Sequence, residues 1–407
     1  MFRSINRWFR IAVFNLFLVS CIGVLLRYKI AYALPFVDQK YLLHAHSHFA
    51  FTGWVTQILM ALLVSRLHNE NEDVFIKYKV LLYANLLSAY GMLFSFPFQG
   101  YGLFSISFST LSIFVAYAFA IMYWRDLNRI NKKGTGDAWF KAALIFNSIS
   151  SIGAFALAIM MASKRAHPDQ YLASAYFFLH FQYNGWFFFA CIGLLFHQLF
   201  EWQIPLRFSK GIFWLFALAC IPAYFLSALW LPIPLWVHVL VIVAVFFQLA
   251  GLAFFYSGIK KNMAEVIRNI SPIGRWLLGL SAAAVTIKLL LQAGSLIPSL
   301  GKIAFGFRSV VVGYLHLVLL GVITLFILGY MVINSFMRIN KAAIAGVVIF
   351  ISGIFLNELI LFTQGTAAMS YRSVPHTNEM LFGAAIVLFL GLLILNVSQS
   401  QSGKSIH

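Results

Sequence analysis

Residues 44–54 read His-Ala-His-Ser-His-Phe-Ala-Phe-Thr-Gly-Trp, and a shorter form of this phrase returns twice in the chain. The second copy, residues 180–186, reads His-Phe-Gln-Tyr-Asn-Gly-Trp, and the third, residues 316–321, reads His-Leu-Val-Leu-Leu-Gly. Each copy places a glycine five residues after a histidine, inside an apolar stretch. Because ionisable side chains inside a bilayer are costly and usually serve a site, the phrase predicts a cofactor or metal site.

The composition is typical of an integral membrane protein. Of the 407 residues 62% are apolar and only 10% are charged, which excludes an ordinary soluble domain. Twelve apolar stretches reach about 20 residues, the length of helix that spans a bilayer core. Since the backbone must satisfy its own hydrogen bonds in lipid, the stretches are predicted to be helices. The predicted spans are residues 10–34, 42–66, 76–98, 104–124, 139–163, 170–200, 208–229, 231–256, 270–296, 305–332, 339–363 and 378–397.

The net charge of +18 is explained by membrane topology. Twenty Lys and Arg residues precede the first span, follow the last or flank alternate loops on the same side, and eight fall on the other side. The positive-inside rule then predicts that both termini are cytoplasmic. We therefore expect a multi-pass protein of a bacterial-type inner (plasma) membrane, and the charge does not indicate nucleic-acid binding.

The three phrases divide the chain evenly, because they fall on predicted spans 2, 6 and 10. The sequence thus predicts a single integral membrane domain built from three repeats, approximately residues 1–134, 135–268 and 269–407. The predicted fold class is all-α, a polytopic bundle of about 12 transmembrane helices in three pseudo-equivalent four-helix repeats. Every even span begins outside in this topology, so the phrase histidines are expected at a similar depth in the outer half.

The histidines are candidate ligands because neutral imidazole binds haem iron, copper and zinc. His44 and His48 lie four residues apart and share a helix face, whereas His46 points elsewhere, and all three are candidates. His48 has the spacing of the other copies, His44 is the alternative, and a polar cap at the membrane interface would also explain the triplet. His180 could be a metal ligand or a hydrogen-bonding residue between helices. His316 stands alone in a very apolar stretch, which favours a ligand.

Other residues near these positions have two interpretations each. The phrase glycines could admit a flat macrocycle or let two helices pack closely. Arg372, in the outer loop before span 12, could pair with an anion such as a haem propionate or be an ordinary loop arginine. Lys288 and Glu358, inside spans 9 and 11, could belong to a proton path. Alternatively, Lys288 could extend towards the interface and Glu358 could be a neutral, hydrogen-bonded acid.

With these features the chain resembles subunit I of the haem–copper oxidase superfamily, which includes nitric oxide reductases and related nitric-oxide-response membrane proteins. The resemblance rests on twelve helices in three sets of four, with histidines on helices 2, 6 and 10. The segment 44–53, ending Phe-Ala-Phe-Thr-Gly, also looks like the second helix of that family.

The resemblance implies a set of cofactor ligands. His48, or His44 in its place, and His316 would be the axial pair of a low-spin haem of b type. His180 would occupy the position of a copper ligand. Arg372 would correspond to the family's propionate-binding arginine region between helices 11 and 12.

The chain departs from the family's pattern at the second metal centre. The family carries adjacent histidines on helix 7, and residues 208–229 contain none. Helix 10 has His316 but no second histidine, and Asn184 stands where many oxidases have a tyrosine. A standard copper centre and the usual binuclear oxygen reduction are therefore not expected.

Together these features predict an integral membrane haem protein, with a haem-dependent oxidoreductase as the enzyme class. Its role would be electron transfer, or the binding and reduction of O2 or NO. Expected partners are the lipid bilayer, a redox partner protein or quinol, and a small gas. Two other classes stay open: a transporter or metal exporter that uses the histidines as a transient metal path, and a non-catalytic assembly or sensor protein.

Overall fold

A computed structural model describes residues 2–67, 74–130, 134–163, 167–297, 300–301 and 306–400. These residues form helices joined by short loops, and none of them lies in a β-strand. The prediction of an all-α fold is therefore confirmed. The principal helices are α1 (Phe2–Ala31), α2 (Gln39–Arg66), α3 (Val74–Gln99), α4 (Leu103–Arg129), α5 (Asp137–Ala162), α6 (168–201), α7 (Ser209–Cys220, continued by a 3₁₀ turn over Pro222–Ala228), α8 (Leu235–Lys260), α9 (Pro272–Gly294), α10 (Arg308–Ile333), α11 (Lys341–Met369) and α12 (Thr377–Ser400). A short helix, Met263–Arg268, lies between α8 and α9.

Each predicted span coincides with one of these helices, and the chain is a multi-pass helical membrane protein. Ten helices of the described residues are long and apolar enough to cross a bilayer. The two parts of α7 qualify only as a bent pair, with an angle of 44° between them. Helix α6 is not among the ten, and its middle carries three polar residues, His180, Gln182 and Asn184. The number twelve stays a prediction.

The predicted sidedness also stays a prediction. Six of the basic residues counted for it lie outside the described part of the chain: Lys132, Lys133 and Lys404 from the predicted cytoplasmic side, and Lys164, Arg165 and Lys302 from the other side.

The chain forms two compact units, with a boundary inside α4 and another inside α10. Unit 1 comprises residues 1–119 and 328–407, and unit 2 comprises residues 120–327. Unit 1 therefore contains the first phrase, on α2, and unit 2 contains the second and third, on α6 and α10.

In unit 1, small residues bring α11 and α12 into close contact. A Cβ atom at Gly346 would lie 2.8 Å from the carbonyl oxygen of Gly391, so nothing larger than glycine fits this crossing without movement. Small residues at such crossings are a common means of helix association in lipid, where apolar burial gives little driving force. On its other side α12 packs against α1, and Asn396 Nδ2 donates to the carbonyl of Val13 at 3.2 Å.

In unit 2, the phrase glycines lie where α6 and α10 meet the helices that precede them. A Cβ atom at Gly185 of α6 would lie 2.5 Å from Cβ of Phe146 on α5. A Cβ atom at Gly321 of α10 would lie 3.2 Å from Cβ of Ala284 on α9. Both positions therefore have the geometry of close helix packing.

We expect Gly185→Ala to lower the stability of the detergent-purified protein by about 1–3 kcal/mol, since the new methyl group must displace the Phe146 backbone or its own helix. The measurement is the midpoint of thermal unfolding. Gly279→Ala on α9 is the matched control, because a Cβ atom there meets nothing within 4 Å. Equal midpoints for the two variants would contradict the packing role of Gly185.

Candidate functional site

All three copies of the histidine phrase contain a π-helical segment. Helix α2 is π-helical over Ala50–Thr56, α6 over Phe181–Phe187 and α10 over Leu317–Thr324. Each segment begins one or two residues after the phrase histidine and contains the phrase glycine. Such turns are rare in proteins and occur frequently at functional sites. The phrase therefore marks a local change of helix type that its sequence did not predict.

The π segment of α2 is held by amide side chains from two neighbouring helices. A π turn shifts the regular hydrogen bonds, and the carbonyls it releases need other donors because lipid offers none. Asn15 Nδ2 of α1 donates to the carbonyl of Gly53 at 2.6 Å, and Asn85 Nδ2 of α3 donates to that of Thr52 at 3.0 Å. The hydroxyl of Tyr90 donates to Asn15 Oδ1 at 2.7 Å, which fixes the orientation of that amide.

Neighbouring side chains also contact the other two π segments. Ser281 Oγ of α9 donates to the carbonyl of Val322 on α10 at 2.7 Å. Cys220 Sγ of α7 lies 4.0 Å from the carbonyl of Asn184 on α6, a weak hydrogen bond. In each copy, a polar or thiol side chain from another helix therefore stabilises the segment.

The imidazoles of His44 and His48 lie on one face of α2, as their spacing of four predicts. The His48 ring stacks on Phe96 of α3, with ring centroids 4.5 Å apart, and its Nε2 lies 3.3 Å from Tyr101 Oη. The His44 ring meets the Tyr101 ring edge-on at 4.7 Å. The His44 Nε2 atom is buried, and no described residue provides it with a hydrogen-bond partner. We call these four residues the α2 histidine cluster.

His46 points away from that cluster towards α1, which agrees with the helical spacing. A Cβ atom at Gly23 of α1 would lie 3.4 Å from His46 Cε1, and the ring is hydrogen-bonded to the backbone of Val19. Its Nδ1 is buried without a hydrogen-bond partner. His46 is thus a separate candidate and does not share a site with His44 and His48.

His180 has the surroundings of a structural histidine. Its ring is 1% exposed, Nε2 lies 2.8 Å from the carbonyl of Cys220, and Nδ1 lies 3.1 Å from Asn184 Nδ2. The Cys220 carbonyl is available because α7 breaks at Pro222, where the Tyr224 amide bonds to Ile221 instead. Both ring nitrogens are therefore engaged, and the predicted copper ligation would require one of these hydrogen bonds to break. That role stays a prediction.

The remaining predicted ligands stay predictions as well. His316 is half-buried and is the last residue before the π segment of α10. The predicted pair of His48 and His316 joins residues of different units. Arg372 is exposed in the loop between α11 and α12. This loop lies at the end of unit 1 where α2 begins, because Phe382 of α12 contacts Tyr28 near the end of α1.

Within the described part of the chain, no three His, Cys, Asp or Glu side chains are grouped so that they could hold one metal ion. Lys288 is buried in unit 2 and does not extend towards the interface. Glu358 Oε1 accepts a hydrogen bond from its neighbour Asn357 at 3.1 Å, which agrees with a hydrogen-bonded acid.

Asn15 is not among the predicted site residues, although the sequence contains a signal for it. Asn15 and Asn147 are separated by the same number of residues as His48 and His180, and Asn147 also contacts a π segment, by accepting from Gln182 Nε2 at 2.9 Å. Tyr101, by contrast, follows α3 in a short loop and is found only through the fold.

The comparisons with known proteins add no relationship to these findings. No protein-family model matches the sequence, and no curated protein is significantly similar to it.

We expect Asn15→Leu to destabilise the protein by about 1–3 kcal/mol, because it leaves both the Gly53 carbonyl and the Tyr90 hydroxyl without their partner. Thermal unfolding in detergent measures this loss. Asn269→Ala is the control, since the Asn269 amide is exposed and bonds only within its own short helix. An unfolding midpoint for Asn15→Leu that equals the control's would show that the π segment does not need Asn15.

Proposed function

We propose that this chain is an integral membrane haem protein in which the α2 histidine cluster supplies an axial ligand. The observation that carries the proposal is the Nε2 atom of His44, which is buried and has no hydrogen-bond partner in the described part of the chain. A buried polar atom without a partner is costly, so such an atom calls for a ligand. The imidazole nitrogen is the donor that haem iron takes most commonly in electron-transfer and gas-binding proteins.

The surroundings of His44 and His48 favour His44 as the ligand. Tyr101 Oη lies within hydrogen-bond distance of His48 Nε2, and Phe96 stacks on the His48 ring and fixes its plane. His48 therefore already has a partner for the nitrogen it would offer to iron. His44 touches the edge of Tyr101, which positions the ring without occupying its Nε2. This order reverses the sequence-based preference for His48.

A bound haem would supply reversible one-electron chemistry and, with an open iron position, a place for a gas. The chain's residues would hold His44 neutral in an apolar environment, exclude bulk water and orient the ring. The role proposed is electron transfer, or the binding and reduction of O2 or NO, in a bacterial-type inner membrane with both termini cytoplasmic. The electron donor would be a quinol or a redox protein. His316 as second ligand, Arg372 as propionate partner and His180 at a copper site are the remaining parts of the proposal.

The first test is the reduced-minus-oxidised optical spectrum of protein produced with ample haem and purified in detergent. We expect Soret and alpha bands of a b-type haem in the wild type. His44→Ala should lose most of the bound haem, because it removes the iron ligand, whereas His48→Ala should retain haem with shifted bands. Absence of any haem band in the wild type would refute the proposal.

Two variants separate ligation from a general loss of structure. His238→Ala changes an exposed histidine on α8 and should leave both haem content and stability unchanged. His180→Leu should lower the thermal midpoint, since it leaves the Cys220 carbonyl and Asn184 unpaired, but should keep the spectrum. Metal analysis of the same samples tests for copper.

Full haem content and unchanged bands in His44→Ala would exclude His44 as a ligand. His316→Ala tests the second ligand in the same way.

A further inference from the structure

A small cavity in unit 2 lies among α6, α7, α8 and α9. Its polar lining comes from Asn184, Cys220, Gln248 and Lys288, and its apolar lining is mainly phenylalanine. The cavity has room for about one water molecule. Neither the sequence-based interpretation nor the proposed haem function uses it.

The ammonium group of Lys288 brings more N–H donors to this cavity than the nearby residues accept. The side chain is 3% exposed, and an ammonium group carries three N–H donors. One donates to Gln292 Oε1 at 3.2 Å, and the nitrogen lies 5.5 Å from the ring centroid of Phe188. None of the described residues that line the cavity is an acid, so an additional neutral or anionic acceptor would stabilise the buried amine.

Two side-chain carbonyl oxygens at the cavity, in contrast, need hydrogen-bond donors. Asn184 Oδ1 and Gln248 Oε1 are buried without a hydrogen-bond partner among the described residues, and each residue is only 6% exposed. The orientation of Asn184 follows from its neighbours. The Cys220 carbonyl can only accept, so neutral His180 carries its hydrogen on Nε2 and accepts at Nδ1. Asn184 therefore presents Nδ2 to His180, and Oδ1 is left as its unpaired atom.

The chemistry of these atoms selects the ligand. The two carbonyl oxygens disfavour an anion, and the ammonium group of Lys288 disfavours a metal cation. A neutral molecule with two donors and at least one acceptor satisfies every group. We propose that the cavity binds one water molecule, which accepts from Lys288 Nζ and donates to Asn184 Oδ1 and Gln248 Oε1.

The bound water would complete a hydrogen-bonded chain through the interior of unit 2. It runs from the Cys220 carbonyl on α7 through His180 and Asn184 on α6 to the water, and from there to Lys288 on α9 and Gln248 on α8. His180 then has a definite role, since its tautomer decides which atom Asn184 offers to the water. Internal waters with about three hydrogen bonds are integral parts of protein structures.

The test is radiolytic footprinting of the detergent-purified full chain, in which X-rays generate hydroxyl radicals from water where it is bound. Cys220 and Cys191 are both buried, at 2% and 3% exposure, and only Cys220 lines the cavity. We expect Cys220 to be oxidised several-fold faster than Cys191.

Equal oxidation of Cys220 and Cys191 in the wild type would overturn the proposal, and this comparison needs no variant to fold. Gln248→Leu removes one acceptor without adding an oxidisable sulfur, and it should bring the oxidation of Cys220 down towards that of Cys191. An undiminished rate in folded Gln248→Leu would overturn the assigned site. The haem spectrum is a separate readout, so the proposed function and this water site fail independently.

Discussion

A carbonyl that has lost its helical hydrogen bond cannot turn to water inside a bilayer, and this constraint governs the structure around each histidine phrase. The π segments of α2, α6 and α10 release carbonyls within the helical bundle. Amide or hydroxyl groups of Asn15, Asn85 and Ser281 reach those of α2 and α10, and a cysteine thiol approaches that of α6. This requirement constrains how the helices pack, because each donor must come from a neighbouring helix at the level of the released carbonyl.

The three phrases are alike in sequence and backbone but differ in the surroundings of the histidine. In α6 the break of α7 at Pro222 supplies a carbonyl to His180, and Asn184 occupies the second ring nitrogen. In α2 two aromatic rings from outside the helix surround His44 and His48, and one imidazole nitrogen is left without a partner. The repeated feature is thus a backbone motif, and the chemistry of each copy depends on the helices that pack against it.

Hydropathy predicted the helices well, because span length and apolarity are properties of the local sequence. The spacing of four also placed His44 and His48 on one face, and His46 on another, without any tertiary information. The partners of His180 could not be predicted in this way, since the Cys220 carbonyl is 40 positions away and is available only through a helix break. The burial of Lys288 likewise depends on four helices meeting. The π segments were missed because helical periodicity assumes one constant turn.

A π turn contains one more residue than an α turn. The phrase helices can therefore be shortened by one residue at their π segments. Removing one residue within 50–56 would restore α geometry there while both flanks of α2 kept their neighbours. The same holds for 181–187 and 317–324. At these segments, therefore, a phrase helix can lose one residue without turning the rest of the helix.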